Sequence, residues 1–139
     1  MQVKSSALVA IGLVFAFGLA ACKTTPPPPK ITGTKMTGEE LTALYLSGNP
    51  TIGQGKSVRT GTTYKIERDG KGTQTLQDEN GYSDSGSYRI DSDKLCSKWV
   101  EIRKGKEGCF EMYRQEDGSI QAVNSEGKVI TTGTIKSVS

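Results

Sequence analysis

The sequence predicts a mainly β fold: a small antiparallel meander, rolled into a barrel or packed sheet, with one helix before it. Three observations carry this expectation. From Gly61 onward, apolar and polar side chains alternate with period two, as in Tyr64-Lys65-Ile66-Glu67. Turn signals recur every eight to twelve residues along the same stretch. Before it, residues 37–48 carry helical spacing between two good caps.

The helix comes first in the chain. Thr37 suits the N-cap, and Glu40, three residues on, completes a capping box. Leu41, Leu44 and Tyr45 fall on one face. Gly48 fits the position just past the end, and Pro50 follows as a stop. A helix this short needs a larger partner to pack against, so it is expected to close one end of the sheet or barrel.

The strands follow. Tyr64 and Ile66 belong to one, Asp69-Gly70 turns, and 72–77 returns. Asn80-Gly81 is a type I′ turn signal inside the polar stretch 77–85, which also reads as a longer loop. Tyr88 and Ile90 alternate next, and Asp91-Ser92-Asp93 turns. A strand over 95–102 carries Cys96 and Trp99, Arg103-Lys104-Gly105-Lys106 turns the chain, and 109–114 returns with Phe110, Met112 and Tyr113. Asp117-Gly118 and Glu126-Gly127 separate two last strands, 119–124 and 129–136. About seven short strands in this order describe an up-and-down meander.

The start of the chain has a different character. Lys4 and the amino terminus make a short positive region, and Ala7 to Ala21 runs fifteen residues without a polar side chain. These are the parts of an export signal. A spanning helix needs roughly 20 apolar residues, and this run is shorter, with Gly12 and Gly18 inside it. The stretch ends Leu19-Ala20-Ala21-Cys22. It resembles the bacterial lipobox: a branched apolar residue, two small residues, then a cysteine that becomes the acylated first residue of the mature protein. The resemblance implies a lipoprotein in which Cys22 carries two or three fatty acyl chains, palmitate among them. Each buried methylene contributes about 0.8 kcal/mol, so several chains make a lasting membrane anchor where one would not. Lys23, in place of an aspartate, favours the outer membrane. The expected organisation is a signal peptide at 1–21, a lipidated cysteine and Pro-rich linker at 22–35, and a β-rich domain at 36–139. Pro26 to Pro29 favour polyproline II, and at about 3.1 Å per residue the linker holds the domain roughly 20 Å from its lipids.

Composition narrows the chemistry. Removing the first 21 residues takes Lys4 with it, so the net charge of +3 becomes +2. That balance does not suggest a nucleic-acid partner. The chain has no histidine, which excludes Ser-His-Asp and Cys-His catalysis and the commonest zinc sites. Of three cysteines, Cys22 is spent on lipid, and Cys96 and Cys109 are expected to pair in an oxidising compartment. Three motif fragments fail in context. Gly53-Gln54-Gly55-Lys56-Ser57 has Pro50 where a P-loop needs glycine. Ser125-Glu126-Gly127-Lys128 straddles a turn where the S-x-x-K motif needs a helix start. Asp78-Glu79-Asn80-Gly81 opens like a calcium loop, but Arg89 stands at the position of the bidentate glutamate. No metal or cofactor is expected.

Lys94, Lys98, Arg103, Lys104 and Lys106 cluster on one hairpin. They either meet anionic envelope polymers or lipid headgroups, or protect a strand edge from mispairing. The candidate binding surface is Arg103, Lys104 and Lys106, with Trp99 either stacking on a ligand there or packing in the core beside the disulfide.

An ordered set of short motifs completes the reading: Leu44-Tyr45-Leu46-Ser47-Gly48-Asn49-Pro50-Thr51, Tyr64 with Asp69-Gly70, Gly86-Ser87-Tyr88, Leu95-Cys96-Ser97-Lys98-Trp99, and Cys109-Phe110. Over residues 36–136 this resembles a family of small exported alphaproteobacterial domains of unknown function. Pro50 is inserted between Asn49 and Thr51 relative to that pattern, and Tyr88 stands where tryptophan is common. The resemblance implies a lipocalin-like antiparallel β fold and no activity. The expected function is therefore a non-enzymatic envelope lipoprotein acting as a binding or structural module, on a protein partner or a cell-wall polymer. One alternative is an inhibitor of a protease or lysozyme, using a protruding loop at 103–106 or 77–85. Another is a carrier of lipid or a small ligand, which requires a cavity in the barrel. Intact mass of the membrane-extracted protein, without reductant, should show cleavage before Cys22, added acyl chains and two protons lost at Cys96 and Cys109. A Cys22→Ala chain should lack the acyl mass, and an unlipidated wild type would refute the anchor.

Overall fold

A computed structural model describes residues 26–138; the expected signal peptide at 1–21 and the expected lipidation site Cys22 lie outside the described residues. In chain order the elements are β1 (Thr34–Lys35), α1 (Gly38–Tyr45), β2 (Thr51–Ser57), β3 (Thr63–Arg68), β4 (Thr73–Asp78), β5 (Ser83–Asp91), β6 (Lys94–Trp99), a 3-10 turn (Ile102–Gly105), β7 (Gly108–Arg114), β8 (Ile120–Val123) and β9 (Val129–Ser137). Strands β2 to β9 each pair antiparallel with the next, and β9 returns to pair with β2, which closes an eight-stranded up-and-down barrel. The short β1 lies along the end of β7, with Thr34 opposite Arg114. The mainly β meander expected from the sequence is the fold observed.

Four of the hairpins share one local device. A side-chain oxygen at the first turn residue accepts backbone N–H groups further on, which bends the chain without help from the rest of the fold. Asp69 Oδ1 accepts from Lys71 and Thr73 at 2.8 and 3.0 Å. Asp78 Oδ1 accepts from Asn80 and Tyr82, both at 2.9 Å. Asp117 takes Ser119 at 2.8 Å, and Asn124 takes Glu126 and Lys128 at 3.1 and 2.9 Å. The β4–β5 connection is thus a short turn over 79–82, and the longer loop considered for 77–85 does not form.

The strand β2 was not expected from the sequence, and β6 was expected to run further than it does. The strand β2 carries Gly53 and Gly55 and no run of apolar or β-branched residues, so it lacks a strand signal of its own. Its partners make it a strand: β3 on one side and β9 on the other, with all seven residues from Thr51 to Ser57 in register against Ser137 to Thr131. Gly55 has a steric role there. A Cβ on it would stand 2.9 Å from Tyr64 Oη and 3.0 Å from Thr131 Oγ1, two groups hydrogen-bonded to each other across the inner face. The strand β6 ends at Trp99, earlier than the expected 95–102, because the chain turns at Val100.

The helix forms where expected, with its capping box, but ends at Tyr45 with Leu46 as the C-cap, so Gly48 lies beyond the C′ position read from the sequence. Thr37 Oγ1 accepts from the Glu40 N–H at 3.2 Å, and Glu40 Oε2 accepts from the Thr37 N–H at 2.8 Å. Gly38 N–H donates to Asp93 Oδ1 at 2.6 Å, which ties the helix start to the β5–β6 turn. The helix packs on β5 and β6 and plugs one end of the barrel. Met36, Leu41 and Tyr45 join Tyr88, Leu95, Met112, Ile120 and Ala122 in one buried cluster.

The same end holds a buried cation. Arg68 is 7% exposed, with its guanidinium carbon 5.0 Å from the Tyr45 ring centre and 5.5 Å from that of Tyr88. Its Nε–H donates to Gln74 Oε1 at 3.2 Å, and the Gln74 amide donates in turn to Ser87 O at 3.1 Å. Tyr88 Oη donates to the Tyr45 carbonyl at 2.6 Å, so the aromatic pair also fastens the helix end to β5. Desolvation pushes the Arg68 pKa below its ordinary value. Two desolvated cation–π contacts supply about 2 kcal/mol or more each, against a penalty of several kcal/mol for burying an ion.

Because Leu41 is fully buried between helix and barrel, Leu41→Ala should lower stability by about 2–4 kcal/mol. Urea unfolding monitored by Trp99 fluorescence would measure it. A loss below about 1 kcal/mol would mean that the helix is not packed as described.

Candidate functional site

The loop over 100–107, joining β6 to β7 at the end of the barrel opposite α1, is the most constrained exposed feature among the described residues. At its base, Cys96 and Cys109 stand directly opposite each other on β6 and β7 and are joined by a disulfide. Closing a loop of 13 residues in this way restricts the unfolded chain by about 2–3 kcal/mol. Above the disulfide, on the outer wall, Arg89 pairs with Glu107 through Nη2 at 2.7 Å and Nε at 3.1 Å. The hydrogen bond from Arg89 holds the Glu107 carboxyl below its ordinary range.

Asp84, from β5, braces the start of the loop. Its Oδ2 accepts the N–H groups of Glu101 and Ile102 at 3.1 and 2.9 Å, and its Oδ1 accepts from Ser85 at 2.8 Å. Burial pushes the Asp84 pKa up, but the backbone donors of Ile102, Glu101, Ser85 and Val100 outweigh it and hold the carboxyl below the usual range. Tyr82 adds a second strut by donating to Glu101 Oε2 at 3.2 Å. Neither Asp84 nor Tyr82 carried a signal in the sequence, because both sit in a polar stretch whose contacts are made across strands.

Arg103, Lys104 and Gly105 then turn in the left-handed region, with φ of 55°, 55° and 74°. Two consecutive non-glycine residues there are unusual, at about 1 kcal/mol or more each, and persist only where the surroundings impose them. Arg103 supplies the constraint. Its guanidinium folds back over the Phe110 ring at 5.3 Å, and donates to Ser97 O at 2.7 Å and to Lys106 O at 3.3 Å. Desolvation lowers its pKa.

The four residues proposed from sequence therefore separate. Lys104 and Lys106 are exposed at the loop tip. Arg103 belongs to the loop but spends its head on holding it. Trp99 is 5% exposed and lies in the barrel interior opposite Gly86, so it does not line the surface. Cys96 is on the other face of β6, as the odd spacing between them requires. The basic hairpin protects no sheet edge, since β6 and β7 are both paired within the closed barrel.

Other chemistry is limited. Cys96, Glu107 and Cys109 place ligand atoms within 4.8 Å of one another, but both sulfurs are committed to the disulfide. The lowered carboxyls Asp69, Asp84 and Asp117 each accept hydrogen bonds within or beside turns, which accounts for their shifts without a proton-transfer partner. Two open clefts lie on the outer wall. One is lined by Lys65, Glu67, Gln77 and Ser85, the other by Gln54, Lys56, Thr132 and Thr134. Among the described residues no helix is long and apolar enough to cross a membrane. Comparison with family models, with curated proteins and with solved structures finds no match.

The lowered Asp84 pKa makes its bracing complete above the ordinary aspartate pKa of about 3.9 and lost as pH falls through the lower folded value. Amide exchange at Glu101 and Ile102 should accelerate, relative to neighbouring strand amides, on acidification below about pH 4. In Asp84→Ala these amides should be unprotected at every pH. Acid-insensitive protection in the wild type would refute the brace.

Proposed function

We propose that this chain is a lipid-anchored envelope lipoprotein of the kind its lipobox resemblance implies, probing its surroundings by binding and carrying out no reaction of its own. The docking element is the loop over 100–107. The observation that carries this reading is the bracing of an exposed basic tip on every side: a disulfide beneath it, Asp84 at its start and Arg103 folded under its turn. A loop held in one conformation before contact loses little entropy on binding. Its tip offers Lys104 and Lys106, and the same mouth of the barrel exposes Val58, Tyr82 and Val100, the last 67% exposed. Apolar side chains with lysines near them suit an acidic protein surface or an anionic cell-wall polymer.

The attachment geometry is favourable. The linker is tied down at the opposite end of the barrel, where Thr32 N–H donates to Gln121 Oε1 at 3.0 Å and Gln121 Nε2 donates to Lys30 O at 3.1 Å. Residues 26–29 precede this contact and are exposed, and the loop lies at the end of the barrel away from it. Inhibition of a protease or lysozyme is the specific form that a rigid protruding loop favours. The carrier reading has less support, because the core cluster occupies much of the interior beside α1.

The lipidated protein should co-sediment with purified cell walls or retain an envelope enzyme. Lys104→Glu with Lys106→Glu should weaken that binding about tenfold or more, while Lys71→Glu at the other end should leave it unchanged. Equal binding by both variants would refute the loop as the docking element.

A further inference from the structure

The plugged end of the barrel holds a positive charge with no counter-ion among the described residues. Arg68 makes one hydrogen bond there, to the neutral amide of Gln74, and no carboxylate reaches it. Two more groups beside it lack partners. Tyr45 Oη and Thr51 Oγ1 are fully buried and bonded to nothing. Thr51 stands directly opposite Arg68 in the β2–β3 ladder, so their side chains lie side by side on the inner face. Tyr45 reaches the same place from the helix, with its ring against the guanidinium. Gly53, the next inward position on β2, has no side chain to fill the space. A Cβ there would meet nothing closer than 3.8 Å, so neither crowding nor backbone conformation demands the glycine.

We propose that Arg68, Tyr45 and Thr51 form a seat for one small monovalent anion, a halide or a carboxylate of about the size of formate. The chemistry selects this class. A guanidinium can only donate, and both hydroxyls are free to donate, so what these neighbouring groups lack in common is an acceptor. A water molecule would satisfy the hydroxyls but leave the buried charge unbalanced. A cation is repelled by Arg68. Size is limited because Met36, Leu41 and Tyr45, none more than 2% exposed, roof this end. The bound anion would join β2, β3 and α1 through one centre, and so couple the helix plug to the barrel wall. The seat is at the opposite end from the loop over 100–107, and neither depends on the other.

Thermal unfolding of the intact chain, at fixed ionic strength, tests this with sodium chloride, bromide and formate against gluconate and sulfate. The first three should raise Tm along a saturating curve, as a ligand of the folded state does; gluconate should not, and sulfate, an excluded kosmotrope, should raise it only without saturation. A rise with halides alone assigns a halide, and a rise with formate alone assigns a carboxylate. Tyr45→Phe and Thr51→Val each remove one donor at nearly constant shape, and each should weaken the apparent affinity about tenfold. Arg68→Met should abolish the effect. A Tm that follows ionic strength alone, or an unchanged response in Tyr45→Phe and Thr51→Val, would overturn the proposal. Should Arg68→Met fail to fold, anomalous scattering from wild-type crystals grown in bromide decides: a peak beside the Arg68 guanidinium supports the seat, and its absence there removes it.

Discussion

The pairing of β9 with β2 is the constraint on which the rest of this structure depends. Every other strand pair in the barrel is a hairpin, made between neighbours in the chain. Among the eight barrel strands only the β2–β9 ladder joins distant segments, with Thr51 against Ser137 and Ser57 against Thr131. Without it the sheet would expose two edges. With it, the inner faces of all eight strands turn toward one axis. Gly55 and Gly133 stand opposite each other in this ladder. The bare Gly55 lets Tyr64 cross the inner face to Thr131, and a Cβ on Gly133 would run into the Gln54 carbonyl.

Closure creates an interior with two unlike ends. At one, α1 enters with Leu41 and Tyr45 and completes the core. The Arg68 guanidinium lies between Tyr45 and Tyr88, and Tyr88 holds the carbonyl of Tyr45. Helix, β3 and β5 are thereby tied through one polar cluster. That cluster is costly unless its charge and hydroxyls are satisfied, which is the physical basis for an anion at this position. At the other end, among the described residues, no α-helix enters, and the loops carry exposed Val58 and Val100, Tyr82 and the lysines of the β6–β7 connection.

The loop over 100–107 shows how a small domain can keep an exposed segment in one shape. A hairpin of this length would ordinarily sample many conformations. Here the disulfide sets its width, the Asp84 carboxylate fixes its first turn, and Arg103 holds the left-handed turn in place through Ser97 O, Lys106 O and the Phe110 ring. The lysines at the tip make no comparable contacts. Groups that stabilise the loop and groups available to a partner are thus different residues, and they alternate along four positions of the chain.

The sequence by itself determined whatever depends on neighbours in the chain. The capping box at Thr37 and Glu40, the aspartate- and asparagine-led turns, the alternation along β3, β5 and β7, and the cysteine pair are all local patterns, and all are legible because their partners lie within a few residues or across a single hairpin. Tertiary structure alone decided three things. It made a strand of Thr51–Ser57, which has no strand signal and takes its conformation from ladders on both sides. It placed Trp99 inside and left Lys104 and Lys106 outside, although all four basic and aromatic candidates fall within eight residues. It buried Arg68, which in an alternating strand reads as one more solvated charge. The reason is common to all three: burial is a property of the closed barrel, and closure is made by residues some eighty positions apart.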